Sequence, residues 1–339
     1  VSAQTHTLPL SVLELSPVLK NAGSAQALHY STELARCAEA LGYQRFWVAE
    51  HHNMPAIASS SPAVLIAHLA AATSTIRVGS GGVMLPNHAP LVVAEQFGML
   101  ASLHPGRIDL GIGRAPGTDG RTAMALRRTS DGLSAEDFPA ELADVMAMLA
   151  GSPDLLTAVP RAETMPQVWL LGSSGFSAQL AGMLGLPFSF AHHFSSDNTE
   201  AALALYRSTF TPSRFLAEPY AMIGVNAVCA PTDEEAEYLA KPGILAFLRL
   251  RTGRPQALET PEDAAKYQFT DAEMAFAAQR RRGQLLGSPE TVRAQLALLV
   301  DRTHVDELML TSQVYDVDAR IRTLEFVADL VSEGIPALV

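Results

Sequence analysis

In the stretch VAEHHNMP, Glu50, His51 and His52 follow one another directly after a run of strand-forming residues. Three polar groups together at a strand end can be metal ligands, an acid–base set or a hydrogen-bonded corner. A zinc site fits poorly, because adjacent residues at a strand end point in different directions and no third ligand stands at a recognisable spacing. No metal is expected. A histidine at the rim of a pocket can move a proton near neutral pH. Two histidines satisfied within a core would look the same in sequence, and spacing does not separate these readings.

A second candidate is LLGSSGFSAQLAGMLGLP, residues 170–187, where a buried strand runs into small residues and then into an amphipathic helix. Ser173 or Ser174 can cap that helix, leaving the N–H groups from Gly175 to Ser177 pointing outward as an anion site. A capped helix with no ligand is the plainer reading. Arg114, ending DLGIGRAPG, is the positive partner a phosphate would need, unless it is a surface arginine in a solvated ion pair. The glycines of GIGRAPG are spaced G-x-G-x-x-x-G, which is not the dinucleotide fingerprint. Gly81 and Gly82 interrupt an apolar strand, which points to close approach of a flat ligand, an unusual peptide geometry or a bulge.

The elements that must hold these residues repeat along the chain. Strand-like runs occupy residues 10–15, 45–50, 76–85, 107–113, 167–173, 187–193, 221–230 and 307–312, with amphipathic helical patterns between them. Continuously apolar strands alternating with helices mean parallel pairing with helices outside. Eight such units predict a closed (β/α)8 TIM barrel, a single domain over 1–339, with an open doubly wound sheet as the alternative. In a barrel, reactive residues lie at the C-terminal strand ends, which adds Glu14, Asn87, His192, His193, Asn226, Ser312 and Gln313 to the candidates. Residues 151–166 read as an irregular connection. Residues 231–287 read as a helical insertion after the seventh strand, lying over the C-terminal mouth. Pocket walls are expected from that insertion and from the loop after Asp119.

Composition narrows the partners. The 24 basic and 35 acidic residues give a net charge of −11 with no basic block, against nucleic acid or an anionic membrane as partner. A phosphate must therefore be held locally. The N-terminus has no basic start or apolar centre, and Cys37 and Cys229 match no disulfide or metal spacing, so a cytoplasmic protein is expected.

The chain resembles the bacterial luciferase-like flavin monooxygenases, through ALGYQRFWVAEHHNMP, RVGSGGVMLPNHAPLVVAEQFGMLASLHPGRIDLGIGRAPGTD, WLLGSSGFSAQLAGMLGLPFSFAHHF and SPETVRAQL in that order. The resemblance implies a barrel that binds reduced FMN noncovalently at its C-terminal mouth. Arg114, Ser173, Ser174 and Ser177 would hold the phosphate. Gly81 and Gly82 would lie against the isoalloxazine, where the family often has a non-prolyl cis peptide. His51 would be the active-site base or acid, with Glu50 orienting it or bonding local backbone. In true luciferases a reactive cysteine precedes the arginine. Here Gly113 stands there, which opens space beside the flavin and puts light emission in doubt. The implied reaction is that of reduced FMN with O2 to a C4a-hydroperoxide, which oxygenates a small organic substrate such as an aldehyde. A separate flavin reductase and a homodimer are further implications. The rival readings are an F420-dependent hydride-transfer oxidoreductase and a flavin-binding protein without turnover.

Overall fold

The computed structural model describes residues 8–115, 117–127, 136–152 and 156–335. The stretch 128–135 of the loop after Asp119 lies outside them, as do residues 153–155 of the irregular connection. Nine strands run β1 (Leu10–Glu14), β2 (Arg45–Val48), β3 (Arg77–Met84), β4 (Ile108–Gly113), β5 (Gln167–Gly172), β6 (Phe188–Phe190), β7 (Ala221–Cys229), β8 (Gln284–Gly287) and β9 (Glu307–Thr311). All pair in parallel. The run β1 to β7 closes through β7–β9 and β9–β1 into an eight-stranded barrel, so the open-sheet alternative does not apply.

Side-chain alternation divides the core in two. Phe46, Val48, Ile108, Leu110, Phe188 and Ile223 face outward into the main core under the helices. Leu13, Trp47, Trp169, Met222 and Met309 face inward. Trp47 and Trp169 meet edge to face with centroids 5.2 Å apart, and an added Cβ at Gly81 would lie 2.6 Å from Leu13 Cδ1. Inward glycines thus make room for two indoles in one barrel.

The floor of the barrel is ionic. Arg45 Nη1 donates to Asp109 Oδ2 at 2.8 Å and Arg45 Nε to Glu307 Oε1 at 2.7 Å, all three side chains being buried. Tyr220 and Trp47 donate to the same two carboxylates. Buried charges are tolerated because each is paired and hydrogen-bonded.

The helices are α1 (Ser24–Ala40), α2 (Pro62–Ala72), α3 (Pro90–Leu103), α4 (Gly120–Arg127), α5 (Phe138–Ala150), α6 (Gly175–Leu184), α7 (Thr199–Thr209), α8 (Asp233–Arg251), α9 (Pro261–Ala265), α10 (Asp271–Arg281), α11 (Pro289–Thr303) and α12 (Val317–Ser332). Proline opens α2, α3, α9 and α11, where its missing N–H costs nothing. Gly151 and Gly185 stop α5 and α6 in the left-handed conformation. Among the described residues no helix is long and apolar enough to cross a membrane.

Residues 231–287 contain α8, α9, α10 and also β8, which pairs with Asn226–Cys229 of β7 outside the ring. The helical reading of this segment misses that strand, because a four-residue apolar run beside an amphipathic helix carries no period of its own. The segment touches the loops beyond β1 and β9: Leu258 bridges Leu19, and Gly243 lies against the backbone of Gln313.

Candidate active site

Glu50 follows β2 and is fully buried. Its Oε1 accepts from His52 Nε2 at 2.8 Å, His88 Nε2 at 2.8 Å and Asn87 Nδ2 at 3.2 Å, and its Oε2 accepts from Met84 N at 3.0 Å. Burial alone would push this carboxyl up, but the bonds from His88, His52 and Met84 outweigh it and hold it below the usual range. Glu50 therefore ties the end of β2 to the end of β3 and the 3-10 turn Leu85–Asn87. The ligand atoms of Glu50, His52 and His88 lie within 4.8 Å of one another, and both histidines bond the Glu50 carboxylate directly. None of these bonds runs to His51.

His51 has a different surrounding. Its backbone N–H donates to Ser59 O at 3.0 Å, while its Nδ1 is buried with no hydrogen-bond partner. Burial pulls its pKa down to about 4, opposed in part by Glu50 and aided by His52. His193, at the end of β6, interacts electrostatically with His51 and is also pulled to about 4 by burial. Its ring Nδ1 lies 3.1 Å from Gly224 O. Both imidazoles are therefore neutral at pH 7.

The loop after β4 closes over this corner. Thr118 Oγ1 donates to His52 O at 2.8 Å, and Asn53 Nδ2 to Thr122 Oγ1 at 3.0 Å. Arg114 stands at its start, its Cζ 4.2 Å from the centroid of the Phe176 ring in the first turn of α6. Ser174 is the N-cap residue of α6, but its side chain caps nothing, so the first-turn N–H groups have no side-chain acceptor. Ser177 is buried against Gly172, where an added Cβ would lie 2.5 Å from the Ser177 Cβ. A guanidinium beside a helix N-terminus without a side-chain cap fits a phosphoryl group.

The Gly81–Gly82 peptide is cis, and the β3–β4 register shifts between Gly81 and Val83. Two of the geometries open for these glycines are therefore present together. Beside them, the room expected from the lack of a side chain at Gly113 is taken up, since an added Cβ there would sit 3.0 Å from Met84 Sδ. The gap belongs to Met84.

Glu50 and His51 lie at one corner of the mouth, and Arg114 joins Ser173–Ser177 through Phe176. Glu14 does not face the mouth. Its carboxylate turns outward, accepting from Ser31 Oγ, Ser16 N and Arg320 Nη2. His88 as a partner of Glu50 is not read from the sequence, and Asn87 is read there only by its place at a strand end. Their one signal is the PNHAP turn at the end of a strand.

The chain matches the luciferase-like monooxygenase family over residues 12–307. It is 49% identical over 324 residues to protein YvbT of Bacillus subtilis, covering 95% of this chain and 96% of that one. It is 45% identical over 330 residues to a luciferase-like monooxygenase of Escherichia coli, covering 96% and 98%. Among solved structures, apo-MsnO8 superposes with a TM-score of 0.87 at 36% identity, covering 98% of this chain and all of that one.

Proposed function

From the premise that the chain belongs to the luciferase-like monooxygenase family, we propose that it uses reduced FMN and O2 to oxygenate a small organic substrate. The observation that carries the cofactor is Arg114 stacked over the first turn of α6, whose N–H groups lack a side-chain cap, at the mouth that also holds His51. Arg114 and the N–H groups from Gly175 to Ser177 would hold the phosphate, with Ser173 and Ser174 beside them. Gly81 and Gly82 would face the ring system. When bound, reduced FMN supplies the activation of O2, chemistry that no side chain provides.

The protein's own residues bind, orient and keep water away. Glu50 is a positioning residue, holding Met84 and His88 where β2 and β3 end. His51, neutral at pH 7, accepts a proton or a hydrogen bond from the reacting atoms. Residues 231–287 wall the mouth and exclude water from it. A separate reductase supplies the flavin, and a homodimer in the cytoplasm completes the reading.

Binding of oxidised FMN, reduced FMN and F420 to the purified protein tests this. Reduced FMN is expected to bind most tightly, and Arg114→Ala to weaken it by roughly 1.5 to 3 kcal/mol, the range for a hydrogen bond to a charged group. A preference for F420 would replace oxygenation by hydride transfer. An unchanged affinity in Arg114→Ala would move the phosphate elsewhere.

A further inference from the structure

Between the end of β6 and helices α8 and α10 lies a cavity of about 210 Å3. One side of it is aromatic. Phe247 of α8 and Phe276 of α10 stack at 5.7 Å with an angle of 8°, and Phe194 stands edge-on to Phe247 at 5.9 Å. The rest of the lining is polar and includes Arg280, in the last turn of α10, and Arg251 of α8.

The surroundings of Arg280 are unusual for a largely buried cation. Its Cζ lies 3.4 Å from the centroid of the Phe247 ring, and its Nη1 donates to His193 O at 3.2 Å. Its Nε is buried with no partner. Among the described residues no carboxylate forms an ion pair with it, whereas its neighbour Arg281 is paired with Glu237. Asp197 lines the same cavity, but its carboxylate accepts from Gln279 Nε2 at 3.1 Å. Burial lowers the guanidinium to about 10, so it stays charged at neutral pH. The ring stack and one carbonyl offset part of its desolvation and leave the buried Nε–H without an acceptor. A buried guanidinium in that condition is set for an anion.

We infer that this cavity binds the carboxylate of a small organic acid, with Arg280 taking the oxyanion and the three phenylalanines taking the apolar body. We further infer that this acid is the compound oxygenated, a step that rests on the monooxygenase reading. The cavity is smaller than the roughly 300–1,000 Å3 of sites for drug-sized ligands, so the acid is small. A planar guanidinium can take both carboxylate oxygens at once. Location supports the second step. On its other side Arg280 lines a cavity of about 20 Å3 with Asn226 of β7 and Gln313 just beyond β9, and His193, which lines the larger cavity, interacts electrostatically with His51.

The test is calorimetric titration of flavin-free protein with butyrate, hexanoate, phenylacetate and 3-phenylpropionate, each beside its alcohol. At least one acid should bind tenfold or more tightly than its alcohol. Arg280→Met should lower that affinity at least tenfold, with Arg280→Lys keeping part of it. The Tm of Arg280→Met should be unchanged or raised, because no ion pair is lost; a structural arginine would lower it. The inference is overturned if no acid binds, if acid and alcohol bind alike, or if Arg280→Met binds acids as the parent does. Loss of reduced FMN affinity in Arg280→Met with acid binding intact would also overturn it, assigning the arginine to the flavin. Acids that bind through Arg280 but are not consumed with reduced FMN and O2 would uphold the site and refute the substrate assignment.

Discussion

His51 is placed where it cannot easily hold a proton, and that decides which half of proton-transfer chemistry is open to it. With its pKa near 4 and Nδ1 without a partner, the ring is neutral across the physiological range, and in the proposed reaction it would take up a proton rather than deliver one from an imidazolium. Replacing His51 by Ala should cut oxygenation far more than FMN affinity, since the phosphate grip proposed at Arg114 would be a separate contact. Steady-state turnover beside flavin titration separates the two, and an unchanged rate would remove His51 from the chemistry. The parent enzyme's kcat/KM should also stay level down to about pH 5. A fall centred on 6.5 would mean that water reaches the ring. Of this corner, the sequence made the types legible and the partners illegible. Glu50 bonds residues 34 to 38 positions away, and that distance is closed only when β2 and β3 lie side by side. Arg280 was illegible for the same reason, because its lack of a carboxylate exists only after α8 and α10 have packed.

At the level of elements, helix α3 depends on a close approach to the connection before β5. An added Cβ at Gly98 would lie 2.3 Å from Pro160 O, backbone that cannot swing aside as a side-chain tip can. Gly98→Ala gains helix propensity but must push the two apart, and overpacking of this kind costs on the order of 1–3 kcal/mol. Urea denaturation should show the loss, with FMN affinity unaffected because Gly98 packs against Pro160 and Arg161 and not against the residues proposed to hold the phosphate. A neutral or stabilising result would mean that the 158–161 connection yields. The barrel strands were legible because each is apolar on both faces, which sets them apart from the amphipathic helices between. β8 was not, being four residues long and stabilised by pairing with β7. The ionic floor was equally hidden: Arg45, Asp109 and Glu307 begin or nearly begin their strands and read as solvated strand ends until closure of the ring brings them together.

For the molecule as a whole, the mouth couples folding to pH. His51, His192 and His193 are each held at about 4, with burial the largest cause in every case. The groups facing them are Glu50 and His52 at His51, Arg280 at His193, and Asp197, Glu200 and Arg302 at His192. Each folded imidazole binds a proton less readily than its unfolded counterpart at about 6.5, so below that pH the unfolded chain takes up more protons. Their contribution is therefore complete above about pH 6.5 and is lost as pH falls towards 4. One such ring contributes at most about 3 kcal/mol, and the three do not simply add because they interact with one another. Urea midpoints measured from pH 7.5 to 4.5 should hold steady to about 6.5 and then decline. The decline should begin before the carboxylates titrate, since Glu50 is held low by its own bonds. In His193→Ala the slope between pH 6.5 and 5 should be shallower. A slope identical to the parent's would show that His193 carries its proton in the folded state, and that the aromatic cavity beside it is wetter than its lining implies.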